Sequence, residues 1–171
     1  MGKVIVLGLG PSLSLYNPAP GDFTIGVNDI WGKIMTNVVV CVDDRPRFVH
    51  ERMKIIDECT PEAFYSHIDS YQNRPDFKRL TLLPYFPDHI CQLNIPAVPK
   101  SLCSPFIACV VAYKYYGATE IHLYGVDLLN HPHLDKNLCA KIKIHFKNLK
   151  IALRQNKSNL IVHGEGILRG I

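Results

Sequence analysis

An apolar run, KVIVL, ends on Gly8, Leu9, Gly10, Pro11 and Ser12. A tight turn of this kind exposes backbone N–H groups and a serine hydroxyl, which suit a single phosphate or the base and ribose of a nucleotide. Asn28 follows the short run FTIGV, and Asp43 and Asp44 follow NVVVCV. Ser104 heads the segment SPFIACVVAYKYYGA, where free helix N–H groups and the helix dipole favour an anion. Asp127 follows EIHLYGV, and the next residues, LLNHPHLD, hold His131, His133 and Asp135.

Each feature also has a plainer reading. The third glycine of a dinucleotide fingerprint is absent, because Leu13 stands in its place, and no Gly-Lys-Ser/Thr closes a P-loop. That weighs against NAD, FAD and a Walker site, and the turn also fits an unliganded strand-to-helix connection. Ser104 could serve only as a helix cap, with Pro105 behind it at the first helical position. Asp43 and Asp44 resemble a metal-binding acidic pair, yet the adjacent Arg45 and the lack of a spaced Asp-x-Asp favour a strand-end turn with one Asp capping a helix. His131 and His133 lie two apart, so an extended chain turns them the same way. They read as a general base oriented by a carboxylate, as metal ligands, or as a polar loop in which Asp135 caps the next helix.

These residues are spaced by alternating strand and helix signals. Apolar runs predict strands over 3–8, 23–27, 37–42, 120–128 and 159–164, with further strands in AFYSH and RLTLLPYF. Helices are expected over 46–57 with Pro46 at its first position, over 104–118 ending at Gly117, and over 135–156 with Leu138, Ile142, Leu149 and Leu153 inward. Continuous apolar strands separated by helices predict a three-layer αβα sandwich with a mostly parallel, Rossmann-like sheet, the strand at 3–8 being central. Such sheets bind ligands outside the carboxyl ends of their strands, which is where the polar residues gather.

The chain has 171 residues and a formal charge of +4, enough for one domain spanning 1–171 and compatible with an anionic ligand without demanding nucleic acid. Lys141, Lys143, Lys147, Lys150 and Arg154 ride the long helix without interleaved aromatics, as a solvated face does. No run reaches the roughly 18 apolar residues of a membrane span, and Met1-Gly2-Lys3 leads into a strand rather than a leader. The six cysteines form no CxxC pair and mostly sit in apolar runs, so a reduced, cytoplasmic protein is expected.

Taken in order and spacing, VIVLGLGPSL, IGVND, Asp43-Asp44, SPFIACVVAYKYYGATEIHLYGVDLL and NLIVHGEGILRG resemble one superfamily. It contains the bacterial lipooligosaccharide sialyltransferases, the archaeal-type 6-hydroxymethylpterin diphosphokinases and the related flagellin-modification proteins. The resemblance implies a nucleotide or nucleotide-sugar ligand held by Gly8, Gly10, Ser12, Asn28, Asp43 or Asp44, and Ser104. Asp127, at a strand end, is expected to bond loop backbone in a structural role that also shapes the nucleotide site. It implies His133, with His131 as the alternative, as the base that deprotonates an acceptor hydroxyl, and no metal or other cofactor. Leu9 stands where the sialyltransferases carry Asn, Pro105 where they carry Gly, and the segment after Asp127 is short. A related glycosyltransferase-like enzyme is therefore the expectation, acting on a glycan or other hydroxyl acceptor and compatible with a homo-oligomer. The alternative is an ATP-dependent diphosphokinase-like enzyme or a non-catalytic nucleotide-binding module.

Overall fold

The computed structural model describes residues 2–84, 92–128 and 135–171. Its centre is a seven-stranded sheet built from β1 (Lys3–Leu7), β2 (Thr24–Val27), β3 (Val38–Val40), β4 (Ala63–Ser66), β5 (Phe77–Arg79), β6 (Glu120–Tyr124) and β7 (Asn159–Val162). The spatial order is β5-β4-β3-β2-β1-β6-β7, and every pairing is parallel. β1 lies inside the sheet, with Leu7 opposite Gly26 of β2 on one side and Tyr124 of β6 on the other.

Alternation along β1 sorts its side chains onto two cores. Val4 and Val6 join the apolar cluster under α2 (Ser104–Tyr116) and α3 (Lys136–Gln155). Ile5 and Leu7 face the other layer, with Leu13, Ile30 and Ile56, the last contributed by α1 (His50–Glu58). The result is the expected three-layer αβα sandwich. α2 lies against β1, β2 and β6 and buries residues 106–112 completely, as a helix apolar on all sides must. It stops at Gly117, whose left-handed φ of 61° lets its N–H reach the carbonyls of Ala112 and Tyr113. Asp135 caps α3 by accepting from the Leu138 N–H at 2.8 Å, and Ile142, Phe146, Leu149 and Leu153 form its buried face.

Several boundaries differ from the sequence reading, for local reasons. Pro46 sits in a 3-10 turn over Arg45–Arg47; Phe48 and Val49 then run extended, so the helix begins only at His50. Ser104 is the first residue of α2 rather than its cap, and Cys103 takes the cap position without a side-chain bond. The strand expected in RLTLLPYF is replaced by β5 at Phe77–Arg79 and a single parallel bridge from Leu82 to Val98; residues 85 and 86 lie outside the described residues. Cys41, Cys59, Cys103 and Cys109 are buried free thiols and Cys139 is half-buried, while Cys91 lies outside the described residues. Burial pushes the Cys41 and Cys103 thiols up to about 12. No helix among the described residues is long and apolar enough to cross a membrane.

The two helices on the α2 side meet edge-to-face at Phe106 and Phe146, with ring centroids 5.6 Å apart and both residues fully buried. Phe146→Ala should cost about 3–5 kcal/mol, read as a lower denaturant midpoint with an unchanged slope.

Candidate functional site

The sheet changes direction at β1. β2 to β5 extend to one side, and β6 and β7 extend to the other. A crevice outside the carboxyl ends of β1 and β6 is the expected ligand position in such a sheet. The predicted site residues meet at this edge in two groups, each organised by a carboxylate.

The first group joins the loops after β1 and β6. Asp127, only 5% exposed, accepts from the Ser12 N–H at 2.8 Å and from the Ser12 hydroxyl at 2.9 Å. The same hydroxyl oxygen accepts the Gly125 N–H at 2.9 Å. Gly8 and Gly10 donate their N–H groups to the carbonyls of Tyr124 and Gly125, both at 2.8 Å. The loops touch so closely that a Cβ on Gly8 would stand 2.3 Å from the Gly125 oxygen. Gly125 itself has φ +69°, a conformation that side chains other than glycine's disfavour. Ser12 is thus committed to closing the turn, and Asp127 is its anchor. The C-terminal stretch takes part as well: Gly164 packs on Ser12 and Asp127, and the Ile167 N–H donates to the Asp127 carbonyl at 3.0 Å.

The second group lies at the ends of β2 and β3 and the start of α2. Asn28 has φ +53°, tolerable for Asn, and its N–H donates to the Val40 carbonyl at 3.1 Å. This turn aims its amide at Asp43, whose Oδ2 receives the Asn28 Nδ2 and the Ser104 hydroxyl at the long distance of 3.4 Å each. Arg47 reaches the other oxygen of Asp43 at 3.2 Å. Asp44 points away; it is exposed and caps the 3-10 turn through the Arg45 N–H at 2.9 Å. Asp29, next to Asn28, is clamped by Arg52 at 2.6 and 2.9 Å, and this bond to Asp29 raises the guanidinium above its ordinary value.

Among the described residues, two buried side-chain polar atoms lack any hydrogen-bond partner, Asn28 Oδ1 and His67 Nδ1. Both residues follow strands at this edge, Asn28 after β2 and His67 after β4. Unpaired buried polar atoms are costly and call for an explanation such as a ligand. Burial lowers His67 below the usual histidine value, helped by the charges of Lys100 and Arg79 and opposed by Asp43 and Asp44. His67 did not stand out in the sequence, because a lone His after AFYS belongs to no motif; only the sheet order sets it beside the end of β3. Gly164 was read as the end of the last strand, and Gly166 was given no role of its own. His131 and His133 lie outside the described residues.

Two cavities lie at the opposite, amino-terminal edge. One of about 410 Å³ is lined by Thr24, Asn37 and Glu62, and one of about 630 Å³ by Lys114, Thr119 and Ser158. Neither is lined by a residue of the two groups.

No protein-family model and no curated protein matches the chain. Among solved structures it is similar to the sialyltransferase CstII from Campylobacter jejuni in complex with a substrate analogue, CMP-3FNeuAc. The match has 18% identity and a TM-score of 0.56 and covers 94% of this chain and 79% of that one. A variant of the alpha-2,3/8-sialyltransferase CstII matches at 19% identity and a TM-score of 0.58, covering 94% of this chain and 81% of the other. At these identities the likeness establishes a shared fold.

Asp127→Ala strands the Ser12 N–H and hydroxyl in a buried place. It should destabilise the protein by about 3 kcal/mol in chemical denaturation, and Asp127→Asn, which keeps one acceptor oxygen, by less.

Proposed function

We propose that this protein is a glycosyltransferase-like enzyme that binds a nucleotide-sugar at the carboxyl edge of its sheet and transfers the sugar to an acceptor hydroxyl. The observation that carries this reading is the convergence of Asn28, Asp43 and Ser104 around a buried, unpartnered Asn28 Oδ1. Two acceptors, Asn28 Oδ1 and the Asp43 carboxylate, call for a ligand rich in donors. An exocyclic base amine or a ribose diol fits that demand. The two 3.4 Å bonds to Asp43 are weak enough to be exchanged for shorter bonds to a ligand. Pro105 has no N–H, and the N–H groups of Phe106 and Ile107 donate to the Cys103 carbonyl, so at the start of α2 it is the helix dipole and the Ser104 hydroxyl that suit a phosphate. Gly8 and Gly10 bring the β1 backbone close to the same crevice, while Ser12 and Asp127 hold that backbone in place.

The fold shared with an enzyme whose structure contains a CMP-sugar analogue supports the choice of a nucleotide-sugar. Transfer needs a base on the acceptor hydroxyl, and His133 with His131 are the candidates that the family resemblance suggests. The donor is a substrate here, and the reading calls for no metal or other cofactor.

Titration calorimetry with CMP, UDP, ATP and a CMP-sugar tests the reading. A cytidine ligand should bind without Mg²⁺, and Ser104→Ala should weaken it by about 1 kcal/mol, roughly fivefold in Kd. Asn28→Ala should weaken it further while leaving the fold intact by circular dichroism. Binding of ATP alone, dependent on Mg²⁺, would instead favour phosphoryl transfer.

A further inference from the structure

β6 shows Glu120, His122 and Tyr124 on one face and buries Ile121 and Leu123 on the other. The face bearing the polar residues lies only partly covered. Across it, His163 follows β7 and pairs through its N–H with the Leu123 carbonyl at 2.9 Å. Three titratable side chains form a chain of short contacts there. The Glu120 carboxylate lies 2.6 Å from His122 Nε2, and His122 Nδ1 lies 2.9 Å from His163 Nε2. The His163 ring also stacks on Tyr124 with centroids 4.0 Å apart and planes 2° apart.

The order of partners determines the protons. An ionised carboxylate only accepts, so His122 carries its hydrogen on Nε2. Its Nδ1 lone pair then accepts the Nε2 hydrogen of His163. His163 is left with an unprotonated Nδ1 directed away from the chain of contacts. The ring is tied to the turn that joins β1 and β6. Tyr124, under the ring, supplies the carbonyl that holds Gly8, and Gly164, the next residue, packs on Ser12 and Asp127. The imidazole therefore stands at the carboxyl edge, on the β6–β7 flank of the crevice.

We propose that Glu120, His122 and His163 form a proton relay in which His163 is the proton acceptor for the transfer reaction and His122 and Glu120 position it. The proposal rests on the transferase reading above and puts His163 in the place of the base that the family resemblance gives to His133 or His131. As the acceptor oxygen attacks the donor carbon, its O–H bond breaks and the proton passes to His163 Nδ1. The nucleoside phosphate leaves with the electron pair of the broken glycosidic bond. The resulting imidazolium passes its Nε2 proton to His122 Nδ1, and His122 passes its own to Glu120. The Glu120 side chain is 46% exposed and returns the proton to water. Burial and the neighbouring His122 lower the His163 pKa, which keeps the ring neutral and basic near pH 7. The charged groups facing the relay balance one another. Lys3 of β1 acts electrostatically with Glu120 and Tyr124 and is itself paired with Asp22 at 2.7 Å. Asp22 also accepts from the hydroxyl of Tyr16, whose ring lies 5.4 Å from that of Tyr124.

Two measurements test this in the full chain, one of them independent of any donor. Diethyl pyrocarbonate acylates neutral imidazole, and mass spectrometry reads the rate at His163. Glu120→Gln and His122→Asn should each slow that rate several-fold, with the fold confirmed by circular dichroism. An unchanged rate in both overturns the relay, whatever the protein binds. Turnover of a CMP-sugar is the second. His163→Gln should lower it by about 100-fold or more with donor affinity retained, and should abolish the acid limb of the pH–rate profile. Glu120→Gln should move that limb to lower pH, because a carboxylate no longer supports the imidazolium. Retention of the limb in His163→Gln together with its loss in His133→Ala overturns the assignment. Failure of every nucleotide to bind, with the acylation result intact, removes the transferase reading and leaves the relay as a proton acceptor without that substrate.

Discussion

The structure depends on one buried carboxylate. Asp127 holds both the N–H and the hydroxyl of Ser12, and Ser12 in turn holds the Gly125 N–H. These bonds join the loops after β1 and β6, which belong to strands 115 positions apart in the chain at Ser12 and Asp127. Hydrogen bonds to an ionised acceptor are the strong ones, and here they stay out of water. They pin the place where the sheet reverses its winding. Gly8 and Gly125 complete the junction because no side chain fits between the two backbones. The C-terminal segment then folds over the same carboxylate through Gly164 and Ile167.

Asp43 works differently. Its bonds to Asn28 and Ser104 are long, and an acceptor beside them has no partner. Asp127 is buried and holds two short bonds on one oxygen, whereas Asp43 is half-buried and its two bonds to Asn28 and Ser104 are long enough to be exchanged. In the transferase reading, Asp127 builds the site and Asp43 meets the ligand. Ser104 is the first residue of α2 and not its cap. As the first helical residue its hydroxyl reaches across to the end of β3, a reach that a capping serine, bonded to its own helix, would not have.

The open face of β6 and β7 extends the same edge. α2 and α3 cover one side of these strands, and the other side carries Glu120, His122, Tyr124 and His163. Period-two alternation sends these residues away from the core under α2 and α3, and parallel pairing of β6 with β7 aligns His122 and His163 along a rising diagonal. The contacts with Tyr124 tie that diagonal to the Gly8 turn.

Much of this was legible in the amino-acid sequence. Continuous apolar runs announced a parallel sheet, because strands buried on both faces have no polar side to alternate with. Gly117 marked the end of α2 and Asp135 the start of α3, since caps are local chemistry written within four residues. Asn28, Asp43 and Ser104 could be named because each sits next to an apolar run, and their meeting at one edge follows from the parallel topology. What the tertiary structure alone decided is the partner of each group. Sequence spacing carries no information on which carboxylate Ser12 will find, on the unpaired Nδ1 of His67, or on the contact of His122 with His163, 41 positions away. Those pairings depend on strand order and register, which are set by the packing of two helical layers on the sheet and not by any local run of residues.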